Sequence, residues 1–208
     1  MRLRADGGQA FPVYIAVVAG LLFLAFAYFA VGQAAFTRNS AQTAADAAAL
    51  AAAQDAREQL REGWLEVILE PDQWDGFLDG EEYDFSSACE NAADFASRNE
   101  ATLAGPGCQP LAAEGSGFRV TVSTTDGAPN PATASAEAVL KPRCTFTEQE
   151  PSPEPPTAPP SPSPSGEPEE EEPGPILGLA CDGQPWDIDP GDPRLPSATD
   201  LFTVRLSK

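Results

Sequence analysis

Every position from Phe11 to Phe36 is uncharged, and most are apolar: FPVYIAVVAGLLFLAFAYFAVGQAAF. At about 1.5 Å of rise per helical residue, such a run exceeds the roughly 30 Å hydrocarbon core of a bilayer. Pro12 sits near its start, where a helix loses least by lacking an N–H. A cleaved secretory signal has a shorter apolar region, about 7–15 residues. The pattern therefore predicts one uncleaved transmembrane helix. It then changes without a break. Ala41, Ala45, Ala48, Ala52, Ala56 and Leu60 recur at three- and four-residue spacing. Asp46, Gln54, Asp55, Arg57, Glu58 and Arg61 fill the positions around them. Alanine has the best helix propensity, and a stripe of methyl groups lets another backbone approach closely. The expectation is one helix, roughly Pro12 to Gly63, with its first half in lipid and its second half covering a sheet. The same alanines also suit a helix that only spaces a domain from the membrane, and periodicity does not choose between the two.

Trp64, Leu65, Ile68 and Leu69 extend the packing up to Pro71, and an Asp/Gly/Glu mixture then reads as a loop. A second helix is expected from Ser86 to Leu103. Ala88, Ala92, Phe95, Ala96 and Leu103 form its apolar face, Ser86 or Ser87 caps its start, and Gly105-Pro106-Gly107 ends it. The period then becomes two. Phe118, Val120 and Val122 alternate with Arg119, Thr121 and Ser123. Ala134, Ala136, Ala138 and Leu140 alternate with Ser135, Glu137 and Val139. Phe202, Val204 and Leu206 alternate with Thr203 and Arg205. These predict three half-buried strands. Small residues on the middle strand match the alanine face of the long helix.

Glu148 to Pro175 is rich in proline and glutamate. It offers too little apolar surface to offset its ordering entropy, so it is expected to be a disordered, solvated insertion. The predicted fold class is α+β, pilin-like: a long N-terminal transmembrane and amphipathic helix packed on a small antiparallel sheet. The expected organisation is a cytoplasmic segment at 1–10, a transmembrane helix at 11–36 and its extracytoplasmic continuation at 37–63. A small ectodomain follows at 64–147 and 176–208, interrupted by the linker at 148–175.

Chemistry narrows the function classes. The formal charge is −20, which repels nucleic-acid phosphates and anionic lipid headgroups. No histidine is present, which removes the commonest general base, the usual Ser and Cys triads and most zinc sites. The acidic stretch after Trp74 fails the EF-hand template: counting from Asp75 puts Phe77 at the third position, and from Asp79 puts Tyr83 at the fifth. Asp182 to Asp192 has no recognised ligand spacing and reads as a turn. A carboxylate-dependent hydrolase has no placeable acid/base pair. The expectation is no catalytic, metal or cofactor site and no small-molecule substrate. Cys89, Cys108, Cys144 and Cys181 all follow the apolar run and form no C-x-x-C pair. They suit two disulfides in an oxidising compartment. Of three connectivities, local bracketing favours Cys89–Cys108 around the second helix and Cys144–Cys181 around the insertion. Arg2 and Arg4, offset by Asp6, precede the apolar run, and Arg38 follows it, so the N-terminus is expected in the cytoplasm.

Two stretches carry a resemblance: GGQAFPVY leading into the apolar run, then RNSAQTAADAAALAAA. Together they resemble actinobacterial Tad-type (tight adherence) pilus-assembly proteins of the TadE/TadG-like group. The signature falls on Gln42, Ala44, Ala45, Asp46, Ala47, Ala48, Ala49, Leu50 and Ala51. The resemblance implies a membrane-rooted, pseudopilin-like part that contacts other pilus or secretion-system proteins and performs no catalysis. One departure is visible. Type IV prepilins carry a glutamate five residues into the mature chain, whereas cutting after Gly8 would put Val13 there and cutting after Gly7 would put Pro12 there. The alternative reading is a membrane-anchored envelope adhesin or spacer in which the Pro/Glu-rich segment is the working part.

Overall fold

The computed structural model describes residues 10–111, 116–125, 131–148, 174–189, 191 and 194–207. Most of the N-terminal segment and of the Pro/Glu-rich stretch lies outside the described residues. The architecture is α+β, with a long apolar-to-alanine helix and two antiparallel sheets. Helix α1 runs unbroken over Ala10–Glu66, 57 residues, or roughly 85 Å at the standard rise. A 3-10 turn (Pro71–Gln73) and a short α2 (Asp75–Leu78) follow, then α3 (Phe85–Arg98). The first sheet has the order β1-β2-β3-β7, built from Ala101–Pro110, Gly117–Thr124, Thr133–Pro142 and Phe202–Leu206. The second is β4-β5-β6, from Cys144–Phe146, Ile176–Cys181 and Gln184–Ile188. The last helix, α4 (Ala198–Leu201), leads directly into β7.

The period-two segments explain the first sheet. On its inner face Phe118 faces Ala138, Val120 faces Ala136 and Val122 faces Ala134, so each large residue meets a small one across the strands. The outer face is polar: Arg119 pairs with Glu137 at 2.5 Å, and the Thr121 and Ser135 hydroxyls lie 2.8 Å apart. A sheet with one dry face needs one covering layer. That layer is α1, which packs on β2, β3 and β7, beside α3, which packs on α1 and β1.

Two cores are strung along α1. The first is built of small residues: Ala44, Ala45, Ala48, Ala49, Ala52, Ala53 and Ala56 of α1 meet Ala88, Ala92 and Ala96 of α3 and the inner face of the sheet. The second lies towards the C-terminal end of α1. There Leu60, Trp64, Trp74, Leu78, Leu179, Ile188 and Phe202 pack together with residues of the second sheet. Trp74 stands edge-on to Trp64 at 5.3 Å and to Phe146 at 4.7 Å, and its Nε1 donates to the Val67 carbonyl at 3.0 Å.

Several sequence expectations are corrected. The second helix ends at Arg98, not Leu103, because Glu100 takes a positive φ of 55° and Ala101–Leu103 pair with Val122–Thr124. Its cap is Asp84, whose carboxylate accepts from the Ser86 and Ser87 N–H groups, rather than either serine. Gly105-Pro106-Gly107 forms an irregular stretch inside edge strand β1, where the register shifts between Leu103 and Cys108. Leu69 is exposed, and α1 stops three residues before it. The stretch read as a turn from Asp182 holds β6. Only Asp182 and Gly183 make the turn, with φ of 51° and 76°, as a two-residue hairpin loop of type I′ demands.

Strands β4 and β5 pair antiparallel with Phe146 opposite Leu179, so the insertion connects two paired strands and starts from the end opposite the Cys144–Cys181 pair. The Cys144–Cys181 bridge closes that loop in the folded and unfolded chain alike. Loop length then has little leverage on stability. Replacing Pro151 to Pro173 by a short Gly/Ser linker is expected to shift unfolding free energy by no more than about 1 kcal/mol. A denaturant titration of both chains checks this, and loss of a cooperative transition would contradict it.

Candidate functional site: the two-faced helix

Along α1 the environment switches within a few residues. Phe11, Leu22, Phe29 and Phe36 are each more than 60% exposed, whereas Ala41 and every α1 alanine from Ala44 onward except Ala47 is buried. The helix is long and apolar enough to cross a membrane, and its apolar window has no protein against it. Length alone permits both uses, because alanine and the aliphatic residues are all compatible with one continuous helix.

The buried half has two working faces. Gln42 places its side-chain amide 2.8 Å from the Asp46 carboxylate and 3.5 Å from the Ser135 carbonyl on β3, which marks the sheet side. Asp55 marks the α3 side: its carboxylate takes hydrogen bonds from Gln59 at 2.5 Å, and from Ser87 and Asn91 at 3.4 Å each. Asn91 also reaches the Ala51 carbonyl, and Gln59 Oε1 accepts from the Asp84 N–H at 2.8 Å. At 3.6 residues per turn, Ala44, Ala48 and Ala51 share the Asp55 side, and Ala45, Ala49 and Ala53 lie nearer the Gln42 side. The alanines thus serve two partners, the sheet and α3, where their spacing predicts only the sheet.

Each residue singled out in the sequence has a place in this arrangement. Ala44, Ala45, Ala48, Ala49 and Ala51 are buried; Asp46, Ala47 and Leu50 are half-buried; Gln42 is exposed beside β3. Cys89 on α3 is bridged to Cys108 on β1, with Cα atoms 5.8 Å apart. Cys144 on β4 is bridged to Cys181 on β5, with Cα atoms 3.9 Å apart. Two tethers were missed from sequence. Arg61 of α1 donates to the Pro196 carbonyl at 3.0 Å. Arg143, between β3 and β4, pairs with Asp182 and donates to the Thr199 carbonyl at 2.6 Å. No spacing signal joins residues so far apart in the chain. The Asp-Gly at 182–183, however, was a readable hairpin signal.

The Arg143 tether carries a pH dependence. The hydrogen bond from Arg143 holds the Asp182 carboxyl below its ordinary value. Hydrogen bonds from the Ser197 hydroxyl and N–H do the same for Asp200. Carboxyls depressed in the folded state add stability above their unfolded pKa and lose it as pH falls through the folded one. Stability is therefore expected to decline below about pH 4, and the decline should be shallower in Arg143→Gln. Thermal midpoints measured from pH 6 down to pH 2 check both statements.

The Tad family model, Flp pilus-assembly TadE/G-like, matches residues 8–55. That range spans the exposed apolar half of α1 and most of its buried alanine half. No curated protein and no solved structure gives a significant match to the chain.

Proposed function

We propose that this chain is a membrane-anchored accessory or minor pseudopilin-like component of a Tad-type pilus or secretion apparatus. It works by protein–protein contacts and without catalysis. The observation that carries the reading is the unbroken α1, exposed and apolar at one end and alanine-packed at the other, with the family match running across the junction. In a bilayer the exposed half has lipid or other transmembrane helices as its only partners. On this reading 1–10 is cytoplasmic, 11–36 spans once, and 37–63 continues the helix outside. The ectodomain is 64–147 with 176–208, and 148–175 is a linker. Both disulfides then lie in the oxidising compartment. The actinobacterial part of the reading rests on the resemblance carried by GGQAFPVY and RNSAQTAADAAALAAA.

Two experiments test the reading. In the native host, photo-crosslinkers placed at Val17 and Leu24 are expected to capture polytopic platform proteins of a Tad machine, and deletion of the gene should abolish pilus or secretion output. Unchanged output with no such crosslink would refute the assignment. For orientation, an impermeant protease acting on protoplasts is expected to remove the chain after Arg38, and full protection of the ectodomain would reverse the topology.

A further inference from the structure

The apolar exposure of α1 ends at Phe36, and complete burial begins at Ala41. That five-residue step rises about 7.5 Å. The headgroup layer of each leaflet is roughly 5–7 Å thick, from the difference between total and hydrocarbon thickness. If α1 spans the bilayer, as proposed above, no stalk separates the lipid from the folded core.

The groups at this end suit that position. Helix α3 runs antiparallel to α1, since Asp84 meets Gln59 and Asn91 meets Ala51. Its C-terminus therefore points back towards the apolar half. Asn99 there joins Phe36, Asn39, Ser40 and Thr43 around an open cleft of about 280 Å³. The cleft lining is uncharged and rich in amides and hydroxyls, with one aromatic ring on the lipid side. Arg98, the last residue of α3, is 65% exposed. It is steadied by Asp94 at 2.6 Å and by the Phe95 ring at 5.0 Å. Thr43 Oγ1 donates to the Asn39 carbonyl at 3.0 Å and Asn99 Nδ2 to the Phe95 carbonyl at 2.8 Å, which leaves the Asn39 amide, the Ser40 hydroxyl, the second Asn99 N–H and the Arg98 guanidinium to donate to phosphate oxygens.

We propose that this rim, Asn39, Ser40, Thr43, Arg98 and Asn99, is a phospholipid-headgroup contact that seats the ectodomain directly on the bilayer surface. Seating fixes the height of everything else. The end of α1 at Glu66 then stands roughly 38 Å beyond Ala41, carrying the second sheet and the mouth of the insertion away from the membrane.

The test uses the full chain in vesicles of zwitterionic phosphatidylcholine, labelled with a fluorophore at Ser97→Cys, Glu70→Cys or Leu22→Cys. Headgroup-nitroxide lipid is expected to quench the Ser97 probe severalfold more than the Glu70 probe, and acyl-chain nitroxide should quench the Leu22 probe. Inserting about eleven helical residues after Phe36 lifts the domain by roughly 16 Å with its facing kept, and should bring Ser97 quenching down to the Glu70 level. Equal quenching at Ser97 and Glu70, with Leu22 still quenched, would overturn the seating and leave the span intact. An unquenched Leu22 probe would overturn the span and the seating together.

Discussion

A chain with serine in place of both Cys144 and Cys181 is expected to lose about 2–4 kcal/mol of stability, the usual range for a native bridge of this kind. The bridge spans 37 positions of sequence, including the whole Pro/Glu-rich stretch. Without it the unfolded chain regains the freedom of that loop, and folding must close it at full cost. What lies beyond the loop raises the stakes. Strands β5 and β6, α4 and β7 all follow it, and Phe202 and Leu201 from that part are fully buried in the second core. The loss should be selective. The fully buried members of the alanine core and the Cys89–Cys108 tether precede the insertion, and Val204 and Leu206 of β7 reach that core from beyond it. Hydrogen exchange on the serine variant should show early opening of β5 to β7 with α1 and α3 still protected. Uniform protection equal to the parent would contradict this account.

Much of the fold was legible because two periods dominate it. The three- and four-residue spacing of Ala41, Ala45, Ala48, Ala52, Ala56 and Leu60 found a helix face whose members are all fully buried. The alternations at 118–122, 134–140 and 202–206 found β2, β3 and β7. The elements missed have no clean period. Strand β1 contains Gly105-Pro106-Gly107 and an irregular register, so its apolar positions do not alternate. Strand β4 is three residues long, too short for any pattern. Strand β6 sits among aspartates that suggested a loop, although Trp186 and Ile188 lie two apart just after an Asp-Gly turn. The helix cap was misread because Ser86 and Ser87 are good cap residues, yet Asp84 had the geometry to accept from both of their N–H groups.

The width of the alanine face was also only partly readable. A single stripe explains one packing partner, but Ala44, Ala49, Ala51 and Ala53 are buried as well. They are buried because α1 lies between a sheet on one side and α3 on another. Methyl groups on both sides allow both neighbours to come close, which Asn91 uses to reach the Ala51 backbone. Fully buried larger side chains on α1 come at Leu60 and Trp64, in the second core. The alanine signature is therefore a packing device as much as a helix former, and it joins the apolar half of α1 and the domain in one continuous element.

Thermal unfolding of the full chain in nanodiscs, followed by fluorescence of its three tryptophans, tests that unity most directly. Ala48 and Ala52 are fully buried, and Gln54 on the same helix is exposed. Ala48→Leu and Ala52→Leu each force extra carbons into a filled interface, which costs about 1–3 kcal/mol. Leucine is itself a good helix former, so Gln54→Leu controls for helix propensity. The account predicts clearly lowered midpoints for the two alanine variants and a parental midpoint for Gln54→Leu. If all three variants melt like the parent, the alanine segment is only a stalk, and the helix is not the shared core of anchor and domain.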